Sequence, residues 1–261
     1  MSSRDLIEQR LHALLPISSI RGAHRLNSAI HYAIFPGGRR MRPMLTLLGA
    51  KAAGARLETD LETAIEVACA VEFLHASSLI LDDLPAMDNA RERRGRPALH
   101  LVFGEDVGML AALALLNQAY GIFGRSPRLI AEAVSCIGVN GTIGGQAVDL
   151  AHRGANNSGQ GIEKTTALLR FALTAGAIAY GAGSADVRAL ARCGECLGEA
   201  YQIYDDLLDG DLPEHASEAH LLRAGELITR SKESVGIRGT ELAAAIDRIF
   251  EEFSHPLLTA Q

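Results

Sequence analysis

Two short stretches of this sequence concentrate carboxylates in a way that few folds tolerate without a purpose. The first is Asp82-Asp83-Leu84-Pro85-Ala86-Met87-Asp88 and the second is Asp205-Asp206-Leu207-Leu208-Asp209. Asp82 and Asp83 follow a long apolar run that reads as a helix, so they sit at its C-terminal end. That end carries partial negative charge, and acids there are unfavourable unless a cation joins them. Asp88 stands six positions beyond Asp82, about 240° round an ideal helix and far from the same face. Pro85 disfavours helix at Leu84, so the chain can loop and bring Asp88 back toward the same point. Two readings stand for these residues, a solvated acidic turn or a site for a hard cation. Arg91, Arg93, Arg94 and Arg96 follow closely, and guanidinium groups match phosphate oxygens in a bidentate manner. Carboxylates for Mg²⁺ beside arginines for phosphate describe a diphosphate site.

The second stretch repeats the chemistry. Asp205 and Asp209, four apart, project from one helix face and repel each other unless a cation intervenes. Hard oxygen ligands with open positions suit Mg²⁺, which keeps waters and takes substrate phosphates as further ligands. A single DDxxD is a weak signal. Two acidic clusters, each closing an apolar helix, are a stronger one.

The elements that must position these groups read as helices. Of 261 residues 48% are hydrophobic and only 5% aromatic, with no Trp; Ala and Leu, both helix formers, dominate. Apolar residues recur at three- and four-residue spacing, as at Ala64, Val67, Val71, Leu74 and Leu81. Prolines at 16, 36, 43, 85, 97, 127, 213 and 256 suggest joints. Pro36-Gly37-Gly38 reads as a turn. Residues 138–161 are rich in Gly and polar residues: the first part reads as a helix packed closely on a neighbour or ligand, and Asn156-Asn157-Ser158-Gly159 as a loop. Residues 208–220 also read as a loop. The expectation is an all-α fold of about eight to ten helices, a single-domain bundle over 1–261 around a central cavity.

Charge and cysteine usage narrow the function classes. A net charge of −6 argues against a general nucleic-acid surface. Cys69, Cys136, Cys193 and Cys196 do not form a secreted disulfide framework. Cys193-Gly194-Glu195-Cys196 is a lone CxxC without the second pair or His of a metal site, and reads as two small helix residues one turn apart. The greasiest stretches, 108–124 and 171–183, read as buried helices, the first because it holds Asn117 and Gln118 and the second because it is too short to span a bilayer. Met1 to Asp5 lack the pattern of a secretory signal. A cytoplasmic protein without a membrane span is expected.

At this point the residues resemble the all-trans prenyl diphosphate synthases, the family of farnesyl and geranylgeranyl diphosphate synthases, from about residue 30 to about residue 210. Phe35-Pro36-Gly37-Gly38-Arg39-Arg40-Met41-Arg42-Pro43 resembles the family's GGKRxRP segment, and Glu72-Phe73-Leu74-His75 leads into the first aspartate motif as in the family. Arg93-Arg94-Gly95-Arg96-Pro97 with His100 matches the stretch after it. Gly144-Gly145-Gln146 with Asp149 resembles the GGQ helix, Lys164-Thr165 the KT motif, and Gln202 through Asp209 the second aspartate motif.

The resemblance implies an isoprenoid-synthase fold, a homodimer, and residue roles. Asp82, Asp83 and Asp88 would bind Mg²⁺ that grips an allylic diphosphate (dimethylallyl, geranyl or farnesyl), with Asp205, Asp206 and Asp209 taking a further Mg²⁺. Arg93 and Lys164 would touch the allylic diphosphate. Gly38, Arg39, Arg42, His75 and Arg94 would hold isopentenyl diphosphate, and Thr165 and Gln202 would line the reacting centre. Arg40 reads as a solvated surface charge, and His100 as a group packed against the preceding turn. Ser77 and Ser78 lie about one turn above Asp82, pointing along the channel for the growing chain. Bacterial farnesyl synthases tend to carry an aromatic residue at the place of Ser77, so a small residue here implies geranylgeranyl diphosphate as product.

The sequence also departs from the family. Where a lysine-bearing loop usually follows the second motif, the chain reads Gly210-Asp211-Leu212-Pro213-Glu214-His215-Ala216-Ser217-Glu218, with no lysine before Lys232. Asn89, Ala90 and Arg91 replace acids seen in many relatives, and Arg39 stands where Lys is usual. Besides the active synthase, these departures leave open a non-catalytic or regulatory subunit of a heteromeric synthase, a farnesyl product, and a terpene cyclase.

Overall fold

A computed structural model describes residues 2–35, 38–56, 61–151, 162–209 and 217–259. The described chain is all-α apart from one minimal hairpin. In order it forms α1 (Ser3–Leu14), α2 (His24–Ile34), α3 (Met41–Ala52), α4 (Leu61–Asp82), strands β1 (Glu92–Arg93) and β2 (Arg96–Pro97), then α5 (Leu99–Phe103), α6 (Glu105–Phe123), α7 (Pro127–Ile137) and α8 (Thr142–Ala151). It continues through α9 (Ile162–Tyr180), α10 (Ser184–Asp209), α11 (Ser217–Val235), a 3₁₀ turn at Ile237–Gly239 and α12 (Thr240–Thr259). Short pieces such as α5 raise the number of helices above the eight to ten expected. The expected turn at Pro36-Gly37-Gly38 and the expected loop at 156–159 lie largely outside the described residues, as do 210–216. Of the loop expected over 208–220, the described residues at both ends are helical: α10 runs to Asp209 and α11 begins at Ser217.

Local chemistry explains where helices begin. Ser2 caps α1: its Oγ accepts from the Asp5 amide at 3.2 Å while the Asp5 carboxylate accepts from the Ser2 amide at 2.9 Å, a capping box. Pro127 opens α7, where its missing N–H costs nothing, with the Ser126 Oγ accepting from the Leu129 amide at 3.3 Å. Pro43 falls in the first turn of α3, the helical position a proline tolerates. Pro256 is not a joint, because α12 continues through it.

The chain divides into two compact units, residues 1–44 with 62–130, and residues 45–61 with 131–261. The first unit buries Ile7 and Leu11 of α1, Ile30 and Ile34 of α2, Phe73 of α4 and Leu115 of α6. The second buries Leu47 of α3, Leu169 and Phe171 of α9, Leu197 of α10 and Phe250 of α12. Each such side chain contributes about 1.5–3 kcal/mol by leaving water. The sequence stripe at Ala64, Val67, Val71 and Leu74 is buried in α4, while Leu81 is partly exposed. Both α4 and α6 are long and apolar enough to cross a membrane; the apolar window of α4 is 72% buried inside the protein and that of α6 only 39%. Met109, Leu110 and Leu113 of α6, with Leu101 and Val102 of α5, form an open apolar face.

Candidate active site

In the first unit the acidic cluster lies where the sequence expects it. Asp82 is the last residue of α4, and Asp82 and Asp83 are only 7% and 3% exposed. Past Pro85 the chain does turn back: the Asp88 amide donates to the Asp82 carbonyl at 2.8 Å, and the Met87 and Asn89 amides both donate to the Leu84 carbonyl at 2.8 and 3.0 Å. Asn89 closes this turn with φ +49, a left-handed conformation that Asn tolerates better than most residues. Two buried carboxylates at the negative end of a helix require positive charge. Arg93 supplies it, its Nε donating to Asp83 Oδ1 at 3.0 Å and its Nη2 to the same oxygen at 2.5 Å. That hydrogen bond, more than any other influence, raises the pKa of the Arg93 guanidinium.

The arginine-rich segment forms a feature that sequence reading missed, a tight hairpin. Glu92 pairs with Pro97 and Arg93 with Arg96, and the two turn residues Arg94 and Gly95 have φ +56 and +73. Two consecutive positive φ angles are the mark of a type I′ turn, which Gly takes freely and Arg does not. The turn separates the arginines by direction. Arg93 reaches back to Asp83. Arg94 lies over Gly38, where an added Cβ would stand 3.0 Å from its guanidinium carbon. Arg96 donates to the Phe35 carbonyl at 2.9 Å and stacks 3.7 Å above the Tyr32 ring, pinning the hairpin to the end of α2.

The residues expected to hold isopentenyl diphosphate therefore come together in part. Gly38 meets Arg94, and Arg42 donates to His75 Nε2 at 3.1 Å. Arg39 is exposed beside them. Burial first, then the surrounding Arg42, Arg94, Arg93 and Arg40, hold the His75 pKa well below the usual 6.5, so the ring is neutral. Because Arg only donates, Nε2 is the acceptor and Nδ1 carries the proton. That Nδ1 is buried without a hydrogen-bond partner among the described residues. Arg40 contradicts its expectation. Far from a solvated charge it is 2% exposed, because Glu8 and Glu72 enclose its guanidinium. His100 is buried in α5 as a packed group would be.

A pocket of about 50 Å³ opens beside Ala33, Ala76, Leu79, Asp83, Arg93 and Arg94. It has room for water but is far too small for an isoprenoid chain. Ser77 is buried, and its Oγ donates to the Ala112 carbonyl of α6 at 2.9 Å; Ser78 turns back on the His75 carbonyl at 2.9 Å.

In the second unit the KT pair and the end of α10 are joined. Thr165 Oγ1 donates to Gln202 Oε1 at 2.9 Å, and Gln202 Nε2 donates to Asp206 Oδ1 at 2.7 Å. Lys164 Nζ stands 3.8 Å from Asp149 of α8. The GGQ helix packs closely on its neighbour, as the glycines suggest: a Cβ on Gly145 would lie 2.4 Å from the Lys164 amide nitrogen. Asp205 and Asp206 are half-buried, and the side chain of Asp209 lies outside the described residues. Cys193 and Cys196 are free thiols on α10, with burial pushing Cys193 up to about 12.

Among the described residues no three Asp, Glu, His or Cys side chains close on one point. A hard cation here would draw its remaining ligands from water or phosphate, as Mg²⁺ does. The all-oxygen donors, and a buried carboxylate pair that already recruits a guanidinium, fit such an ion.

A helical fold of this kind, with carboxylates at the ends of two of its helices, is that of the isoprenoid synthases. The chain superposes on the crystal structure of a farnesyl/geranylfarnesyl diphosphate synthase of Zymomonas mobilis with a TM-score of 0.81 and 30% identity, covering 93% of this chain and 92% of that one. The sequence pattern described as polyprenyl synthetase matches residues 23–217, and the chain belongs to that family. It is 38% identical over 217 residues to a geranylgeranyl diphosphate synthase of Pantoea ananas, covering 78% of this chain and 70% of that protein. It is 34% identical over 228 residues to large subunit 1 of a heterodimeric chloroplastic geranylgeranyl pyrophosphate synthase of Arabidopsis thaliana, covering 80% of this chain. The match spans only 60% of that plant protein's length.

Proposed function

We propose that this chain is a trans-prenyltransferase that condenses isopentenyl diphosphate with an allylic diphosphate, with geranylgeranyl diphosphate as its product. The observation that carries the reading is the Asp88 amide closed back on the Asp82 carbonyl beside the Arg93–Asp83 fork. It joins carboxylates for a divalent ion, in the turn after α4, to a guanidinium for phosphate on the hairpin that follows.

Asp82, Asp83, Asp88, Asp205, Asp206 and Asp209 would hold Mg²⁺. Bound there, the ion would neutralise the charge that develops on the departing diphosphate. Arg93 and Lys164 would leave their carboxylate partners, Asp83 and Asp149, to hold the allylic diphosphate oxygens. Gly38, Arg39, Arg42 and Arg94 would anchor the isopentenyl diphosphate, with neutral His75 orienting Arg42. The allylic C1–O bond breaks, the double bond of isopentenyl diphosphate forms the new carbon–carbon bond, and the proton lost from the adduct goes to the released diphosphate. No protein nucleophile takes part; the residues contribute position and electrostatics.

Small, buried Ser77 beside Ala112 supports the longer product, as do relatives named geranylgeranyl diphosphate synthase. The open face of Leu101, Val102, Met109, Leu110 and Leu113 supports a homodimer in which a second copy covers it. The test is incubation of the purified chain with Mg²⁺, farnesyl diphosphate and labelled isopentenyl diphosphate. A labelled twenty-carbon diphosphate that disappears with chelator supports the reading. Allylic turnover that ignores isopentenyl diphosphate points to a cyclase, and no turnover to a non-catalytic subunit.

A further inference from the structure

Arg40 lies between the expected diphosphate ligands Gly38, Arg39 and Arg42, yet its side chain is buried inside the protein. Its three nitrogens are all engaged inside the protein. Nε and Nη2 fork onto the Glu8 carboxylate at 2.8 and 3.1 Å, Nη1 donates to Glu72 at 2.7 Å, and Nη2 also donates to the Ile34 carbonyl at 2.9 Å. Four of its five N–H groups are engaged, and the side chain is 0% exposed, out of reach of a ligand. Its backbone is left-handed, φ +54, a conformation that a residue with a Cβ adopts only when its surroundings hold it. The anchored side chain thus fixes a kink in the segment carrying Gly38, Arg39 and Arg42.

The grip comes from two helices in register. On α1, Arg4, Glu8 and His12 recur every four residues and so share one face. Arg4 Nη2 donates to the Gly38 carbonyl at 3.3 Å, Glu8 holds Arg40, and the His12 ring stacks on Phe35 at 3.9 Å. On α4, Glu72 and His75 are three apart; Glu72 takes Arg40, and His75 takes Arg42. The segment is held at 35, 38, 40 and 42, while Arg39 remains exposed.

We propose that Glu8, Arg40 and Glu72 are positioning residues that hold the segment 38–42 in the shape that receives the diphosphate of isopentenyl diphosphate. This rests on the reading above that Gly38, Arg39, Arg42 and Arg94 bind that group. Glu8 is the residue to test, because its side chain is 32% exposed and buried Arg40 keeps Glu72 as a counter-ion when Glu8 is changed.

The experiment compares Glu8→Gln and Glu8→Ala with Arg10→Ala. Arg10 also ties α1 to α4, pairing with Glu62 at 2.7 Å, but makes no contact with 38–42 in that pair. The Glu8 variants are expected to raise the KM for isopentenyl diphosphate about tenfold, as loss of a charge-assisted bond would. The KM for farnesyl diphosphate should stay within about twofold. Arg10→Ala should leave both KM values alone even if it lowers the melting temperature. Equal rises in both KM values, a fall in kcat alone, or the same rise in Arg10→Ala would overturn the positioning role. Failure of the underlying reading looks different: Arg39→Ala and Arg42→Ala would then leave the isopentenyl KM unchanged, or the unaltered protein would not incorporate isopentenyl diphosphate, and the proposal would fall with it.

Discussion

Arg93 and Asp83 form a forked pair, with Nη2 at 2.5 Å and Nε at 3.0 Å from one carboxylate oxygen. A cation proposed for phosphate and an anion proposed for metal thus neutralise each other. Binding of a metal diphosphate would exchange these partners, so the fold meets the ligand with its charges already paired rather than bare.

Arg93→Gln is expected to lower kcat/KM by about 100-fold, the scale of a lost electrostatic contact to a developing charge. It should also reduce the stability of the ligand-free protein, by about 1–3 kcal/mol, because buried Asp83 loses its partner. Arg93→Lys keeps the charge but not the fork and should fall between. Steady-state kinetics and thermal melts without ligand measure both effects.

His75 gives the protein a pH signature. Its pKa is depressed in the folded state, so at and below the ordinary 6.5 the unfolded chain binds a proton that the folded chain refuses. Its stabilising contribution is complete above that value and falls as pH drops through it, by at most about 1.4 kcal/mol per pH unit. His75→Gln should flatten the loss of stability between pH 6.5 and more acid conditions. An unchanged slope in chemical denaturation across that range would contradict the assignment.

Ser77 donates to the Ala112 carbonyl, so a ring placed there must displace α6 or swing into the proposed channel. Ser77→Phe is expected to cost about 1–3 kcal/mol from overpacking and to shift the product from twenty carbons toward fifteen. Chromatography of dephosphorylated products reads this directly; an unchanged chain length would refute the proposed place of the channel.

Gly145 leaves no room for a side chain against the Lys164 amide. Gly145→Ala must part α8 from α9 and move Lys164 and Thr165 with it. Weakened allylic binding together with a lowered melting temperature is the expected result. A variant that melts and binds as the parent does would show that the approach of these helices is slack.

Much of this arrangement was legible in the sequence, and the exceptions share a cause. The return of Asp88 past Pro85 is written locally, in a proline and an Asn within one turn, and Gly144-Gly145 announces a close approach by the absence of side chains. The burial of Arg40 is not local. Arg40 reads as a solvated surface charge between Arg39 and Arg42, and only Glu8, 32 residues earlier, and Glu72, 32 residues later, bury it. The four-residue spacing of Arg4, Glu8 and His12 was the available signal, but it says that a face exists, not what it meets. The hairpin at Glu92–Pro97 escaped because its strands are two residues long, too short for any alternation, and because Arg94 takes a turn conformation usually left to Gly or Asn.

The central claim is that the carboxylates ending α4 hold a divalent ion on the allylic diphosphate beside Arg93. Electron paramagnetic resonance with Mn²⁺ in place of Mg²⁺ and a non-ionisable allylic thiodiphosphate tests this most directly. Bound Mn²⁺ whose signal changes on adding the thiodiphosphate, and is lost in Asp83→Asn, is predicted. A signal that ignores the thiodiphosphate, or that Asp83→Asn leaves unaltered, would contradict it.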